Sequence, residues 1–374
     1  MTETAILTSP SSNAKYAPQH TRLRVKLLTA AISLLLSLIL AELAVRNWIP
    51  VRNVGPSFTI FDPSYGKRLK SNFSCERITP EFRMTLTTNS LGFRGSPFVI
   101  SEQQPLLFLG DSFTMGLGVN DGEEFPALVR EALRAQFGDD RVPVINAGIG
   151  DVGNGRWVRF LLEEAPRYNP RAVILQLCSN DFTDNLRERF AVLTPEGHLE
   201  IRRLEFTPGL ARIAQSAIEW IPGLPYSRLV SLMRETQNRG RVVIAKALRE
   251  SNRETNPPVQ TTADVPESPK QTPSVSETEL GDELTHQLVL ELAGICRQRH
   301  WHYLVITADF NGSRLDELSR RLAGQDVPLL AIPTKTDRPD LYYTIDGHWN
   351  AVGHRFVAEQ LVNELTIRGW IGQP

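Results

Sequence analysis

From Pro105 onward the chain is a succession of short apolar runs separated by segments of helical spacing, and few architectures accommodate that. Pro105–Leu109, Val142–Asn146, Arg171–Leu177, Tyr303–Thr307 and Val327–Pro333 are each strand-length and lack polar alternation. Strands of that kind are buried on both faces. Between and after them, helical spacing is found at Glu123–Phe137, Trp157–Ala165, Leu284–Arg299, about Arg314–Ala323 and about Ala351–Arg368. The expectation is an α/β fold with a five-stranded parallel sheet covered by helices on both sides. In such sheets ligands bind beyond the carboxyl ends of the strands.

Four chemistry-bearing segments fall at those ends. Gly110-Asp111-Ser112 follows the first strand, and Asn146-Ala147-Gly148-Ile149-Gly150-Asp151 follows the second. Cys178-Ser179-Asn180-Asp181 follows the third, and Asp346-Gly347-His348-Trp349-Asn350 precedes the last helix. A serine needs a neighbouring base to become a nucleophile. Asp346 and His348 offer the remainder of a Ser–His–Asp triad, the carboxylate fixing the imidazole tautomer. Glycine N–H groups near residue 150 and the Asn180 amide are candidate oxyanion donors. Each segment also has a structural reading as a turn, and their joint placement is what favours chemistry. His354, six residues past His348, is read as a polar surface residue.

Several alternatives fail on spacing. The fifth position from Gly110 is Thr114, so this is not a Gly-x-Ser-x-Gly elbow. Gly116 and Gly118 are not followed by Lys-Ser/Thr, and the third position of Gly-x-Gly-x-x-Gly is Asp121, which argues against nucleotide binding. No cofactor is called for. The seven histidines contain no His-Glu-x-x-His, and His300-x-His302 leads directly into a strand, so no metal site is expected. Cys75, Cys178 and Cys296 are too scattered for a zinc site or a disulfide framework. A net charge of −1 excludes a general nucleic-acid binder.

Residues 27–45 set the location. Fifteen of these 19 residues are apolar, and Glu42 is the one charge. At about 1.5 Å per residue they span about 28 Å, a bilayer core. Lys15, Arg22, Arg24 and Lys26 precede the run, while Arg46 and Arg52 follow it. The basic excess upstream holds residues 1–26 in the cytoplasm as a tail and sends the rest across as a single-pass inner-membrane protein. A cleaved signal peptide, although no A-x-A site closes the run, and a buried helix of a soluble protein are the rival readings.

Residues 50–104 read as an irregular, β-rich lead-in, and 105–370 as the sheet domain, interrupted by an insertion over 182–283. Within the insertion Leu224–Arg249 looks helical. Residues 251–279 hold five Pro, nine Ser or Thr and no aromatic residue, and are expected to be disordered. The insertion reads as a lid, a partner-docking element or a surface decoration.

At the four segments the sequence resembles the SGNH (GDSL-type) hydrolase family. The resemblance covers about 105–181 and 284–368 and implies a three-layer flavodoxin-like fold. It implies Ser112 as nucleophile, His348 and Asp346 as the rest of the triad, and Ser112, Gly150 and Asn180 as the oxyanion hole; Asp151 is the alternative register for Gly150. The family's Gly-x-Asn-Asp block carries Cys178 in place of glycine. Its Asp-x-x-His block is shortened to Asp346-Gly347-His348-Trp349, a form that looks like the alginate O-acetyltransferase branch. Asn89-Ser90-Leu91-Gly92-Phe93-Arg94-Gly95 is similar to membrane-anchored bacterial members associated with envelope polysaccharides. The implied substrate is an acyl ester, with a polysaccharide and a membrane acyl-donor protein as implied partners. The alternative is an inactive, anchored module that binds a polysaccharide or a partner.

Overall fold

The computed structural model describes residues 19–97, 100, 103–137, 142–207, 209–236, 275–310 and 312–371. It divides into two compact units, Met1–Pro50 and Val51–Pro374. The first contains α1, Gln19–Trp48, a continuous helix of 30 residues. Its segment Leu23–Trp48 is long and apolar enough to cross a membrane. Glu42, the acid within the apolar run, pairs with Arg46 one turn later at 3.5 Å.

The second unit opens with two antiparallel hairpins. β1 (Thr59–Asp62) pairs with β2 (Gly66–Leu69), and β3 (Ser74–Ile78) with β4 (Arg83–Thr87). The strands of the main sheet follow: β5 (Leu106–Leu109), β6 (Val144–Asn146), β7 (Ala172–Cys178), β10 (His302–Ala308) and β11 (Leu329–Ala331). A small antiparallel hairpin, β8 (Ala191–Leu193) with β9 (Leu199–Ile201), stands apart from the main sheet. The main sheet is parallel, in the order β11-β10-β7-β5-β6. Counted along the chain this is 2-1-3-4-5, the flavodoxin-like order, with its switch point between β5 and β7.

Side-chain alternation explains why these strands read as unbroken apolar runs. Leu107 and Leu109 of β5 join one core, as do Val173, Leu175 and Leu177 of β7. Leu106, Phe108, Ala172 and Ile174 point the other way, into a second core. The first core is closed by α4 (Gly155–Glu163) and α8 (Val275–Gln298), with Met84 and Leu86 of the lead-in. The second is closed by α3 (Phe125–Phe137) and α10 (Ala351–Ile367). The remaining helices are α2 (Ser112–Met115), α5 (Asp181–Glu188), α6 (Leu210–Glu219), α7 (228–236) and α9 (Gly312–Ala323).

Three local expectations are corrected. Within Leu224–Arg249, Leu224–Tyr226 is a 3-10 turn, 228–236 is helical, and 237–249 lie outside the described residues. Of the stretch 251–279 expected to be disordered, 251–274 lie outside the described residues, but α8 begins at Val275. Finally, His354 is no surface residue: it is fully buried.

Its ring stacks on Phe125 and meets the edge of Trp349. Its Nδ1 accepts the Phe125 N–H at 3.2 Å, satisfying one of the orphan donors in the first turn of α3. Burial lowers its pKa from the usual histidine value to about 3. Below about pH 6.5 the unfolded chain therefore takes up a proton that the folded chain refuses. Stability is lost as pH falls from about 6.5 toward 3, at about 1.4 kcal/mol per pH unit from this group. His354→Leu is expected to flatten that dependence by one proton while lowering stability at pH 7, where the Phe125 N–H loses its acceptor. Urea midpoints at pH 7, 6 and 5 check this; parallel pH slopes for the two proteins would contradict it.

Candidate active site

The carboxyl end of β5 is shaped to present one hydroxyl. Gly110 has φ +152°, and a Cβ there would lie 2.3 Å from Thr114 Oγ1 and 2.7 Å from Gln176 Oε1. Only glycine fits so sharp an exit from the strand. Asp111 then caps α2, its carboxylate accepting the Phe113 N–H at 2.9 Å. Gln176 of β7 accepts from the Asp111 N–H at 3.3 Å and the Thr114 hydroxyl at 3.0 Å, fastening the turn to the neighbouring strand. Ser112 is thereby held at the start of a single helical turn, beside the switch point.

Ser112 Oγ lies 2.7 Å from His348 Nε2, and His348 Nδ1 is hydrogen-bonded to Asp346 Oδ1. A hydroxyl bonded to an imidazole whose far nitrogen is held by a carboxylate is the geometry that general-base activation requires. The imidazole packs on the Phe113 ring, 4.7 Å between centroids, and Phe113 packs on Trp349 at 4.8 Å. Trp349 is completely buried. Asn350 caps α10 by accepting from Val352 and Gly353 N–H. Each residue of the Asp346–Asn350 segment except Gly347 thus has a contact that fixes where His348 sits.

The loop after β6 comes up against the same turn. A Cβ on Gly148 would lie 2.3 Å from Met115 N, so a side chain is excluded there. At Gly150 a Cβ would lie 3.4 Å from Ser112 Cβ, which puts Gly150 directly beside the serine. Asp151 follows with φ +54° and an exposed side chain.

Asn180 ends the third strand's loop, with its amide engaged. Its Nδ2 donates to Asp184 Oδ2 at 2.8 Å and is 3.5 Å from Asp111 Oδ2. The Cys178 thiol sits 2.6 Å from Asn180 Oδ1 and 2.9 Å from Asp111 Oδ2, so the residue replacing glycine orients this amide. Burial and the nearby Asp111 carboxylate raise the Asp181 pKa well above the usual range, and its Oδ2 accepts the Cys178 N–H at 2.7 Å. Among the described residues no group of three His, Cys, Asp or Glu side chains is arranged to hold a metal.

The model of the GDSL-like Lipase/Acylhydrolase family matches residues 108–356, two thirds of the chain, and spans all of these segments. The chain belongs to this family. No curated protein matches the sequence. Among solved structures this acylhydrolase is similar to the esterase EstA from Pseudoalteromonas sp., with 13% identity over 71% of this chain and 98% of EstA, and a TM-score of 0.38. It is also similar to TesA, with 14% identity over 70% of this chain and 98% of that one, and a TM-score of 0.37. A lipase/acylhydrolase from Enterococcus faecalis gives 14% identity over 71% and 96%, and a TM-score of 0.34.

Two residues beside the acylhydrolase site were invisible in its sequence. Glu81, in the turn between β3 and β4, accepts the Ile345 N–H at 2.8 Å and the Asp346 N–H at 2.6 Å. It grips the main chain that carries Asp346. Arg94 lies in the Asn89–Gly95 stretch, where resemblance marked the segment but gave the arginine no task. Its fully buried guanidinium donates to the carbonyls of Met115, Gly116 and Val119 at 2.8, 2.5 and 2.7 Å. Those carbonyls belong to the loop leaving Ser112. Charge-assisted bonds of the Glu81 type contribute about 1.5–3 kcal/mol each. Glu81→Ala is expected to lower kcat on a small ester by roughly 10-fold with KM little changed, since the acid loop loosens without touching substrate. Glu81→Gln, which keeps an acceptor oxygen, should recover part of the rate. A kcat unaffected by Glu81→Ala would show that the loop holds its geometry unaided.

Proposed function

We propose that this acylhydrolase is a serine-dependent acyl-ester enzyme, anchored by α1 and working outside the cytoplasmic membrane on a cell-envelope or exported polysaccharide. The observation that carries the chemistry is the continuous hydrogen-bonded line Ser112–His348–Asp346. In this reading Ser112 Oγ attacks the ester carbonyl while its proton passes to His348 Nε2. The carbonyl oxygen becomes an oxyanion held by the Ser112 and Gly150 N–H groups and the Asn180 amide. Breaking the ester bond expels an alkoxide, which takes the proton from His348, and the acyl group stays on Ser112. Asp346 remains ionised throughout and stabilises the imidazolium. His348 then removes a proton from the second nucleophile, which releases the acyl group and restores Ser112.

The identity of that nucleophile decides the outcome. Water makes the protein an esterase, and a sugar hydroxyl makes it an O-acyltransferase. The short Asp346-Gly347-His348-Trp349 form supports the second through its resemblance to the alginate O-acetyltransferase branch. An acyl donor on the far side of the membrane then calls for a membrane partner that delivers it. Asn180 Nδ2 carries two hydrogens: Asp184 holds one, and the other has to give up only the 3.5 Å approach to Asp111 to reach an oxyanion.

The test is incubation of the protein with a chromogenic acetyl ester, followed by mass spectrometry of the peptide containing Ser112. Turnover with an acetyl adduct on Ser112 is the expected result, and adding polysaccharide acceptors then separates transfer from hydrolysis. A folded protein giving neither turnover nor adduct across several acyl donors would favour the anchored binding module instead.

A further inference from the structure

A helix on the surface of a water-soluble protein turns its apolar stripe inward. α6 does the reverse. Leu210, Ile213, Ala217 and Trp220 recur at i, i+3, i+7 and i+10 and so share one face, and all four are exposed. Leu210 is 86% exposed and Trp220 89%. Ile221 follows at the helix end, and Met233 of α7 is also exposed. The polar Glu219 faces the protein, bonded to the Ser57 N–H at 3.0 Å and to Lys70 Nζ at 2.6 Å. Large apolar side chains clustered in this way mark a surface with a partner.

The bonds beneath the patch indicate which partner. α6 and α7 close on the first residues of the second unit. Glu235 of α7 accepts the N–H groups of Arg52 and Asn53 at 2.6 and 3.0 Å, and Arg234 reaches the Gly55 carbonyl at 3.4 Å. Arg52 is four residues beyond Trp48, the end of α1. Four extended residues reach at most about 14 Å. Wherever α1 leaves a bilayer, the segment gripped by α7 is therefore close to the surface of that bilayer.

We propose that the outward face of α6, with Trp220 and Ile221, is a second membrane contact that lies in the boundary between lipid headgroups and acyl chains beside the exit of α1. It rests on the reading of α1 as a retained anchor. Leu210 and Ile213 enter the acyl boundary, and Trp220 takes the headgroup level, where its amphipathic ring is favoured. The contact makes the insertion a tether that fixes the height and orientation of the second unit above the membrane.

The three native cysteines are buried, so introduced ones can be labelled selectively. Full-length protein carrying Ile213→Cys, Trp220→Cys, Leu36→Cys or Glu359→Cys is coupled to an environment-sensitive fluorophore and reconstituted in phosphatidylcholine vesicles. The vesicles are made with and without lipids bearing a shallow or a deep nitroxide. The labels at 213 and 220 are expected to shift to the blue and lose most of their intensity to the shallow nitroxide. The label at 36 should respond to the deep one, and that at 359 to neither. Quenching at 36 without quenching at 213 and 220 overturns the second contact and leaves the anchor standing. Blue-shifted but unquenched labels at 213 and 220 mean that protein covers the patch, which also overturns it. An unquenched label at 36 removes the anchor itself, and the inference with it.

Discussion

Ser112→Ala and His348→Ala each lower kcat by a factor on the order of 10⁶, and combining them costs little more. That is the expected result if Ser112 Oγ and His348 Nε2, 2.7 Å apart, act as one unit. Without the imidazole the hydroxyl keeps its proton, and without the hydroxyl the imidazole has nothing to activate. Asp346→Asn is expected to cost about 10⁴, since the amide leaves His348 in the wrong tautomer while its position is retained. KM should move little in all three, because none of these groups is a binding contact remote from the reacting atoms. Initial rates on a chromogenic ester, with far-UV circular dichroism to show that each variant is folded, provide the test. If the double variant fell to the product of the two single losses, the two side chains would be acting independently, and the proton path from Ser112 to His348 would be wrong.

The second large effect concerns stability. Arg94→Met is expected to lower unfolding stability by 3 kcal/mol or more. The guanidinium is completely buried, and its removal takes a donor from the carbonyls of Met115, Gly116, Val119 and Thr85, leaving Gly116 a 3.4 Å bond from the Val119 N–H. Each buried acceptor left unmade costs about 1–3 kcal/mol. Glu124 lies 3.9 Å from the guanidinium with almost no exposure, and burial already raises its pKa despite the arginine. Without Arg94 that carboxyl would have to take a proton, since breaking a buried ion pair from one side costs about 3–5 kcal/mol. Arg94→Lys should be intermediate in loss, because one ammonium cannot supply a fork to four carbonyls. Urea unfolding measures both. A loss under about 1 kcal/mol for Arg94→Met would mean that water or a rearranged loop satisfies these carbonyls.

The residues legible in the sequence share a physical property: their signal is local. β5, β7 and β10 are covered on both faces, so burial alone writes them as apolar runs. Ser112 stands two residues after a strand closed by glycine, and Asp346 and His348 are two apart on one loop. What stayed hidden depends on meetings between distant segments. Glu81 bonds a main-chain N–H 265 positions later in the chain, and nothing around residue 81 encodes that. His354 reads as a polar surface residue because a lone histidine carries no burial signal of its own; its burial comes from α3 packing against α10. For Asn180 the chain shows a donor at a strand end but not that Asp184, one helical turn on, is its acceptor. α6 is hard to read from the sequence because its apolar face enters neither core.

The lead-in holds the site from both sides. Arg94 clamps the loop leaving Ser112, and Glu81 clamps the loop carrying Asp346. Both residues precede position 108, where the family match begins. Where the homology starts is therefore not where the working machine starts. A recombinant fragment trimmed to the matched residues would keep Ser112, Asp346 and His348 and lose both braces. Grafting the triad onto a related scaffold would likewise require carrying over the hairpin that is stitched to it.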